Sequence, residues 1–284
     1  MALQLRALVS SLSPKRAGRF AANVTPDWMQ GRTTYGGLSS ALCLEGARRV
    51  LREDSDAADW PLRSAQVSFL GPMGGAIEID ASVVRRGKAM SFVRSDALSD
   101  DGDVSTTATF AFGATRESAF NEVYMRPPAN ALRPPDDCPS LTTGFPEHLA
   151  PAFTRHFDCR LARGAFPGSA ASESDNWLYV RFDGCNADGG VDGVDTDVAL
   201  LALADMPPPA IMSRFSGPAP ISSINWHVNI VQPNAVAAEG GWWLLHQRAE
   251  AAADGYVSQD MTVYGGEDNG TLVAAGRQSV AIYA

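Results

Sequence analysis

Residues 198–211 of the chain, VALLALADMPPPAI, form a nearly unbroken apolar run that contains one carboxylate and then meets three consecutive prolines. An apolar run of this kind is typical of a buried segment packed against other elements. Asp205 could simply mark the end of a helix, because proline prevents the preceding turn from continuing. A buried acid is nevertheless costly unless it is paired, so this position also suggests chemistry.

The composition limits the function classes that the chain can serve. With 284 residues, 45% hydrophobic content and 19% charged residues, it can bury one large core or two smaller ones. A net charge of −9 argues against nucleic acid as a partner, because phosphate neutralisation needs clustered Lys and Arg. No stretch approaches the roughly 20 apolar residues of a membrane span.

The cysteines and the N-terminal stretch predict a cytoplasmic protein. Four cysteines are scattered without a CxxC pair, which favours neither a metal cluster nor a disulfide framework and fits a reducing compartment. Residues 1–20 lack the apolar core and cleavage site of a secretory signal and are predicted to form at most a short amphipathic turn. The acidic, Gly-rich residues 183–197 resemble a calcium loop in composition only, so no metal site is predicted.

The chain contains an internal duplication. Three strand-like segments separated by Gly-bearing turns occur at residues 76–113 and again at residues 241–283, as in two antiparallel meanders. Aligning Gly87 with Gly255 also aligns Gly102 with Gly270, at one constant spacing. Upstream, Pro72 and Pro233 each close a strand. Such repetition predicts two structurally similar halves.

Each half is predicted to contain a leading strand, a long apolar helix and four antiparallel strands. The leading strands are residues 15–24 and 155–164, with an additional strand-like segment at 176–184. The two helices, residues 36–51 and 197–212, are too apolar to face water and should lie against the sheet. The predicted domains are 1–118 and 151–284, joined by a Pro-rich linker over residues 119–150.

Several short motifs, taken in order, resemble those of one enzyme family. In the second half these are LLALADMPPPAI, ISSINWHVNIVQP and TLVAAGRQSVAI; in the first half they are GRTTYGGLSSAL, SAQVSFLGP and RRGKAMSFVRSDAL. The chain resembles the double-hotdog acyl-CoA thioesterases, the type II thioesterase-like family, over nearly its whole length. The resemblance implies an α+β tandem hotdog fold, in which two long central helices are each wrapped by a curved antiparallel sheet. It also implies an acyl-CoA substrate and no cofactor.

On this resemblance Asp205, Ser223 and Gln278 occupy the catalytic positions, which hold and activate a water beside the thioester carbonyl. The chain departs from the family pattern at two places, with Ser223 where Thr is usual and Asn225 where Asp is usual. The first change keeps the hydroxyl. The second removes a charge at a position expected to contact the substrate, and could lower activity or change the substrate.

The duplication offers an independent comparison, because a residue kept only for packing should align with an apolar residue in the sister half. Extending the registers without gaps aligns all three polar residues with apolar ones. Asp205, Ser223 and Gln278 fall on Leu44, Leu62 and Phe110, respectively. The match to Leu44 depends most on ungapped extension. The pattern predicts one reactive site per chain.

The remaining substrate contacts are predicted from chemistry. Desolvation should raise the pKa of Asp205 and make it a better base. Backbone N–H groups at a helix start can polarise a carbonyl, and Gly36 and Gly37 would allow close approach. The CoA phosphates need cations. The candidates are Arg32 and a basic turn formed by Arg85, Arg86 and Lys88, which we expect to lie beside the cleft.

Two other functions stay open. One is a non-catalytic acyl or acyl-CoA binding protein, which Ser223 and Asn225 permit. The other is a hotdog hydratase or dehydratase, which needs a paired His and Asp, although the helix that carries Asp205 contains no His. A serine hydrolase is disfavoured because no GxSxG motif occurs. The sequence leaves homo-oligomerisation open.

Overall fold

A computed structural model of the chain describes residues 2–53, 57–128, 132–143 and 150–283. The helices are α1 (Ala2–Ser11), α2 (Gly36–Arg52) and α3 (Thr196–Ala204). The strands of the first half are β1 (Ser13–Arg16), β2 (Arg19–Val24), β3 (Met29–Gln30), β4 (Thr33–Thr34), β5 (Leu62–Phe69), β6 (Gly75–Arg86), β7 (Met90–Leu98) and β8 (Val104–Gly113). Those of the second half are β9 (Phe157–Arg163), β10 (Asp175–Phe182), β11 (Ile221–Ile230), β12 (Trp243–Ala253), β13 (Tyr256–Gly265) and β14 (Thr271–Ile282).

Twelve of the described strands form one antiparallel sheet to which both halves contribute. Its order is β1-β2-β6-β7-β8-β5-β11-β14-β13-β12-β10-β9, so the halves join where β5 pairs with β11. Gln66 and His227 face each other at this seam, and their separation in sequence equals that of Pro72 and Pro233. A pseudo-twofold axis therefore passes between Gln66 and His227. The predicted meanders and the duplicated order are confirmed.

Helix α2 packs against the sheet with nearly all of its residues buried. Fourteen of its 17 residues are buried, and it packs against β6, β7, β8 and α3. Arg49 and Arg52 lie in its last turn, where positive charge favours the carbonyl end of the helix dipole. The first predicted central helix is therefore present.

Helix α3 is shorter than predicted. The sequence pattern indicated a second long helix over residues 197–212, but α3 ends at Ala204 after nine residues. Pro207 forces Met206 toward extended backbone and cannot donate an N–H group, so the helix cannot pass this point. A separate short 3-10 helix, Ala210–Arg214, follows the prolines. The prediction of two long helices was wrong for this element.

The N-terminal stretch and the leading strands also differ from expectation. Residues 2–11 form a full helix, α1, whose Leu5, Leu8 and Val9 are buried in the core. Residues 15–24 lie within the β1–β2 hairpin, which turns at Gly18, and β9 and β10 take the equivalent places in the second half. No helix in the described part of the chain is both long and apolar enough to span a membrane. Residues 129–131 and 144–149 of the predicted linker lie outside the described residues.

Candidate active site

The three predicted catalytic side chains meet in one hydrogen-bonded cluster. The side-chain Nε2 of Gln278 donates to Asp205 Oδ1 at 2.9 Å and to Ser223 Oγ at 3.1 Å. Gln278 is 3% exposed, whereas Asp205 and Ser223 are half-buried at the edge of a cavity. The cluster thus joins the end of a helix to two neighbouring strands, β11 and β14.

A β-bulge in β11 directs Ser223 into the site. The register between β11 and β14 shifts between Ser223 and Asn225. Before the bulge, odd-numbered residues face inward; after it, even-numbered residues such as Trp226 do. An equivalent shift separates Leu62 from Ser64 in β5, which supports the alignment of Ser223 with Leu62. Bulges commonly re-aim side chains in this way next to functional sites.

The start of α2 supplies the other side of the cluster. The backbone N–H of Gly37 donates to the Asp205 carboxylate. Tyr35, the residue that precedes α2, donates its hydroxyl to the carbonyl of Ala202 at 2.8 Å and so fixes α2 against the last turn of α3. At Gly36 a Cβ would lie 2.8 Å from Asp205 Oδ2, closer than real Cβ contacts allow. Glycine at this position keeps the space beside the carboxylate open.

Burial gives Asp205 the properties of a base that works near neutral pH. Desolvation raises the pKa of Asp205 to about 7, although the hydrogen bonds from Gln278 and from the Gly37 backbone act in the opposite direction. Desolvation dominates because the carboxylate lies between α2, α3 and β14, with no cation among its described contacts. A base with such a pKa is partly ionised at pH 7 and still accepts a proton readily.

The cluster opens into a cavity of about 610 Å³. Gly36, Asp205, Ser223 and Gln278 lie in its wall, and Arg32 is the one basic residue among the described residues that line it. Arg32 is exposed, in the loop between β3 and β4. The remaining wall is largely apolar and includes Phe69, Leu141, Phe153, Met206, Pro207, Pro208, Pro209, Met212 and Ile221. Such a cavity suits a ligand with an apolar chain and a polar end.

Two groups of predicted substrate contacts lie elsewhere. Asn225 is exposed and does not line the cavity, because the bulge turns its side chain to the outer face of the sheet. Arg85, Arg86 and Lys88 lie at the β6–β7 turn. This turn is next to the C-terminal end of β8, because Met90 pairs with Gly113. The cavity borders the opposite end of these strands, so the prediction that places the basic turn beside the cleft was wrong.

Gln259 was not predicted as a member of the site. This side chain is fully buried and donates from Nε2 to Gln278 Oε1 at 2.9 Å. Gln259 pairs with Gln278 across β13 and β14, just as Val93 pairs with Phe110 in the first half. The Gly87 and Gly255 alignment instead places Gln259 on a polar residue, Ser91. The strand pairing thus aligns Gln259 with Val93, two residues away from the match that the glycine alignment gives. Because of this shift, the replacement of an apolar residue by Gln259 could not be seen in the sequence.

The equivalent place in the other half is closed. With the same offset that aligns Ser223 with Leu62, Gly36 aligns with Asp197. Asp197 is 4% exposed, accepts the backbone N–H of Leu62 at 3.2 Å and forms an ion pair with Arg48. A side chain thus occupies the space that glycine leaves open beside Asp205.

The duplicated sheet and its helices define a hotdog-type protein, and the cluster of Asp205, Ser223 and Gln278 lies at one of its two equivalent places. A family model described as the acyl-CoA thioesterase C-terminal domain matches residues 135–282, and one described as the N-terminal domain matches residues 24–113. The chain belongs to the acyl-CoA thioesterase family and is a thioester hydrolase.

Solved structures support the same fold. A hotdog-fold protein of unknown function from Alicyclobacillus acidocaldarius is 22% identical, with a TM-score of 0.77 and 98% coverage of both chains. A putative thioesterase II from Thermobifida fusca is 20% identical, with a TM-score of 0.73 and 97% coverage of both chains. The tesB protein of Mycobacterium avium subs paratuberculosis is 19% identical, with a TM-score of 0.73, and covers 100% of this chain and 99% of its own. A search of curated proteins found no match.

Proposed function

We propose that the chain hydrolyses an acyl-CoA thioester to the free acid and CoA, with Asp205 as the general base for the attacking water. The observation that carries this proposal is the desolvated carboxylate at the edge of an otherwise largely apolar cavity, held by two N–H donors. A base of this kind contributes typically 10²- to 10⁴-fold to a rate.

In the proposed reaction a water lies beside Asp205, in the space left open by Gly36. Asp205 takes a proton as the water oxygen attacks the carbonyl carbon of the thioester. The carbonyl oxygen becomes an oxyanion, and collapse of the tetrahedral intermediate breaks the carbon–sulfur bond. The leaving thiolate takes up the proton that Asp205 removed from the water, which gives CoA and restores the carboxylate, so the reaction balances as thioester plus water giving acid plus thiol.

Ser223 and Gln278 orient the reacting groups. Because Ser223 Oγ accepts a hydrogen bond from Gln278, its own hydroxyl hydrogen is available to a water in the cavity. Gln278 holds both partners through a single NH2 group. Removal of such an orienting donor commonly costs on the order of 10- to 1000-fold in rate.

Substrate recognition follows from the cavity wall. The apolar residues would hold the acyl chain, and Arg32 at the rim would contact the phosphates of CoA, which Arg recognises through paired donors. Both halves contribute to the site, since Arg32 and Gly36 belong to the first half and Asp205 to the second. The proposed site therefore needs residues of only one chain.

The decisive experiment measures thiol release from a panel of acyl-CoAs by the wild type and Asp205→Asn. We expect release by the wild type and a loss of about 10²-fold or more in Asp205→Asn. Asp254→Asn, at an exposed turn, is the control for the same chemical change and should keep the wild-type rate. Equal rates for wild type and Asp205→Asn would refute the mechanism.

The alternatives give different outcomes. Binding of acyl-CoA without thiol release from any member of the panel would favour a non-catalytic binding protein. No His lies among the described residues that line the cavity, so none of these residues supplies the His of a hydratase or dehydratase.

A further inference from the structure

A buried series of hydrogen bonds leads from the backbone to the cluster. The backbone N–H of Ala210 donates to Gln259 Oε1 at 3.0 Å, and Gln259 Nε2 donates to Gln278 Oε1 at 2.9 Å. Gln278 Nε2 then donates to Asp205 and to Ser223. Ala210 and Gln259 are both 0% exposed, so solvent does not compete for these bonds.

The backbone N–H of Ala210 fixes which atoms donate and which accept in these hydrogen bonds. A side-chain amide can turn over and exchange its oxygen and nitrogen, whereas a backbone N–H can only donate. Ala210 begins the short helix after the prolines, where the first N–H groups have no partner within the helix. Prolines 207–209 have no N–H, so Ala210 offers the first backbone donor after them.

The orientation of Gln278 decides what the site contains. With its NH2 group toward the cavity, Gln278 donates to Asp205 and Ser223. Turned over, it would direct its carbonyl oxygen at a carboxylate, which repels it, and Ser223 would lose its donor. Only a group that donates to Gln278 Oε1 holds the productive orientation, and Gln259 is that group.

We infer that Gln259 is a positioning residue for the thioesterase reaction, which fixes the Gln278 amide with its NH2 group toward Asp205 and Ser223. The inference rests on the proposed role of Asp205 for its effect on rate, but the orientation of Gln278 is independent of that role. The sister position holds Val93, a residue that packs but cannot donate. The donor thus occurs in the half that carries the carboxylate.

The test is a double-mutant cycle of Gln259→Met and Gln278→Met with two readouts. One is kcat and KM for acyl-CoA hydrolysis. The other is the titration of the Asp205 carboxyl by ¹³C NMR, assigned by its loss in Asp205→Asn, which needs no turnover. Gln247→Met is the control, because Gln247 is also a buried Gln and its side-chain oxygen has no hydrogen-bond partner.

We expect Gln259→Met to lower kcat on the order of 10-fold with little change in KM. It should also raise the pKa of Asp205, because the hydrogen bond from Gln278 lowers that pKa and would be lost or shared. In the Gln278→Met background, adding Gln259→Met should change neither readout further. Gln247→Met should leave both at wild-type values.

Two results would overturn the inference. One is an unchanged kcat and unchanged Asp205 titration in Gln259→Met; the other is the same loss in the presence and absence of Gln278. If Gln259→Met does not fold, Gln259→Val, which introduces the residue of the sister half, replaces it in the cycle. Failure of the proposed function would look different, because Asp205→Asn would then keep the wild-type rate. In that case the titration of Asp205 would still show whether Gln259 acts through Gln278.

Discussion

At the scale of single residues, the reactivity of the site depends on how Asp205 is surrounded. Desolvation raises the pKa of Asp205, whereas the N–H groups of Gln278 and Gly37 lower it, and the pKa that results is about 7. Neither burial nor hydrogen bonding alone would give a base poised near neutrality. The same balance makes the site sensitive to pH.

The rate should therefore depend on pH with one ionisation. In the proposed mechanism the ionised form of Asp205 acts as the base. With a pKa of about 7 for this carboxyl, kcat/KM should rise tenfold per pH unit below pH 7 and level off above it. A profile of kcat/KM between pH 5 and 9 checks this. A profile that is flat through pH 7 would contradict the assignment of Asp205 as the base.

Asp205→Asn should stabilise the fold at alkaline pH. Asp205 titrates near 3.9 when unfolded and about 7 when folded, so its neutral form favours the folded state below pH 4, and this contribution is lost as the pH rises to about 7. Asparagine has no such loss. We expect a gain of about 2 kcal/mol at pH 8, moderated because Asp205 borders an open cavity, and little difference near pH 4. Urea unfolding at both pH values measures it, and a gain of equal size at both would contradict the linkage.

Gly36→Ala should inactivate the enzyme without unfolding it. Its methyl group would lie 2.8 Å from Asp205 Oδ2 and 3.2 Å from the Phe69 ring, in the space proposed for the water. We expect kcat to fall on the order of 100-fold while the far-UV circular dichroism spectrum is retained. Gly217→Ala is the control, because nothing lies within 4 Å of its Cβ position. Wild-type kcat in Gly36→Ala would show that the water lies elsewhere.

The sequence could predict the members of the cluster because each short motif carries one of them, and the structure brings all three within hydrogen-bonding distance. Gln259 was not predicted, because the sequence does not distinguish a buried Gln in an alternating strand from any other polar residue of that strand. Its signal appears only when strand pairing places it on Val93. The basic turn was misplaced because charge alone does not say at which end of a hairpin the cavity lies.

At the scale of elements, residues 198–211 contribute to the site in three ways. The apolar run forms α3, and the prolines end this helix so that Asp205 occupies its C-cap position beside α2. After the prolines, Ala210 donates its N–H to Gln259. The hydrophobic pattern predicted too long a helix, because it depends on apolar residues alone and takes no account of the N–H groups that proline lacks. The early end is what exposes the carboxylate to the cavity.

Tyr35→Phe should weaken the contact between the two central helices. The Tyr35 hydroxyl is buried and donates to the Ala202 carbonyl, so its removal leaves that acceptor without this partner. We expect a loss of about 1 to 3 kcal/mol in the free energy of unfolding, measured by urea denaturation. A smaller loss of kcat should accompany it, since Gly37 and Asp205 are held across the same contact. Tyr256→Phe, at an exposed position, should change neither quantity, and an unaltered Tyr35→Phe would contradict this role.

At the scale of the whole molecule, the duplication divides the tasks between two halves of one sheet. The strand order is the same on both sides of the β5–β11 seam, so the backbone offers two equivalent places for a site. Side chains remove one of them. The first half supplies Gly36 and the start of α2 to the site and keeps apolar residues where the second half has Asp205, Ser223 and Gln278.

One chain should consequently bind one acyl-CoA. The equivalent place in the other half has Leu44, Leu62 and Phe110 in place of the cluster, and the buried pair of Arg48 and Asp197 fills it. Calorimetric titration of Asp205→Asn with a non-hydrolysable thioether analogue should give a stoichiometry of one per chain; a stoichiometry of two would mean that the second place opens.

Breaking the ion pair tests the same asymmetry from the other side. Arg48→Met leaves the buried Asp197 carboxylate without its cation, which should lower the free energy of unfolding by about 3 to 5 kcal/mol. Because this pair lies outside the reactive cluster, kcat per folded chain should stay within about twofold of the wild type at a temperature where the variant is folded. A large fall in kcat under those conditions would show that the two places act together, since the pair would then influence a cluster it does not contact.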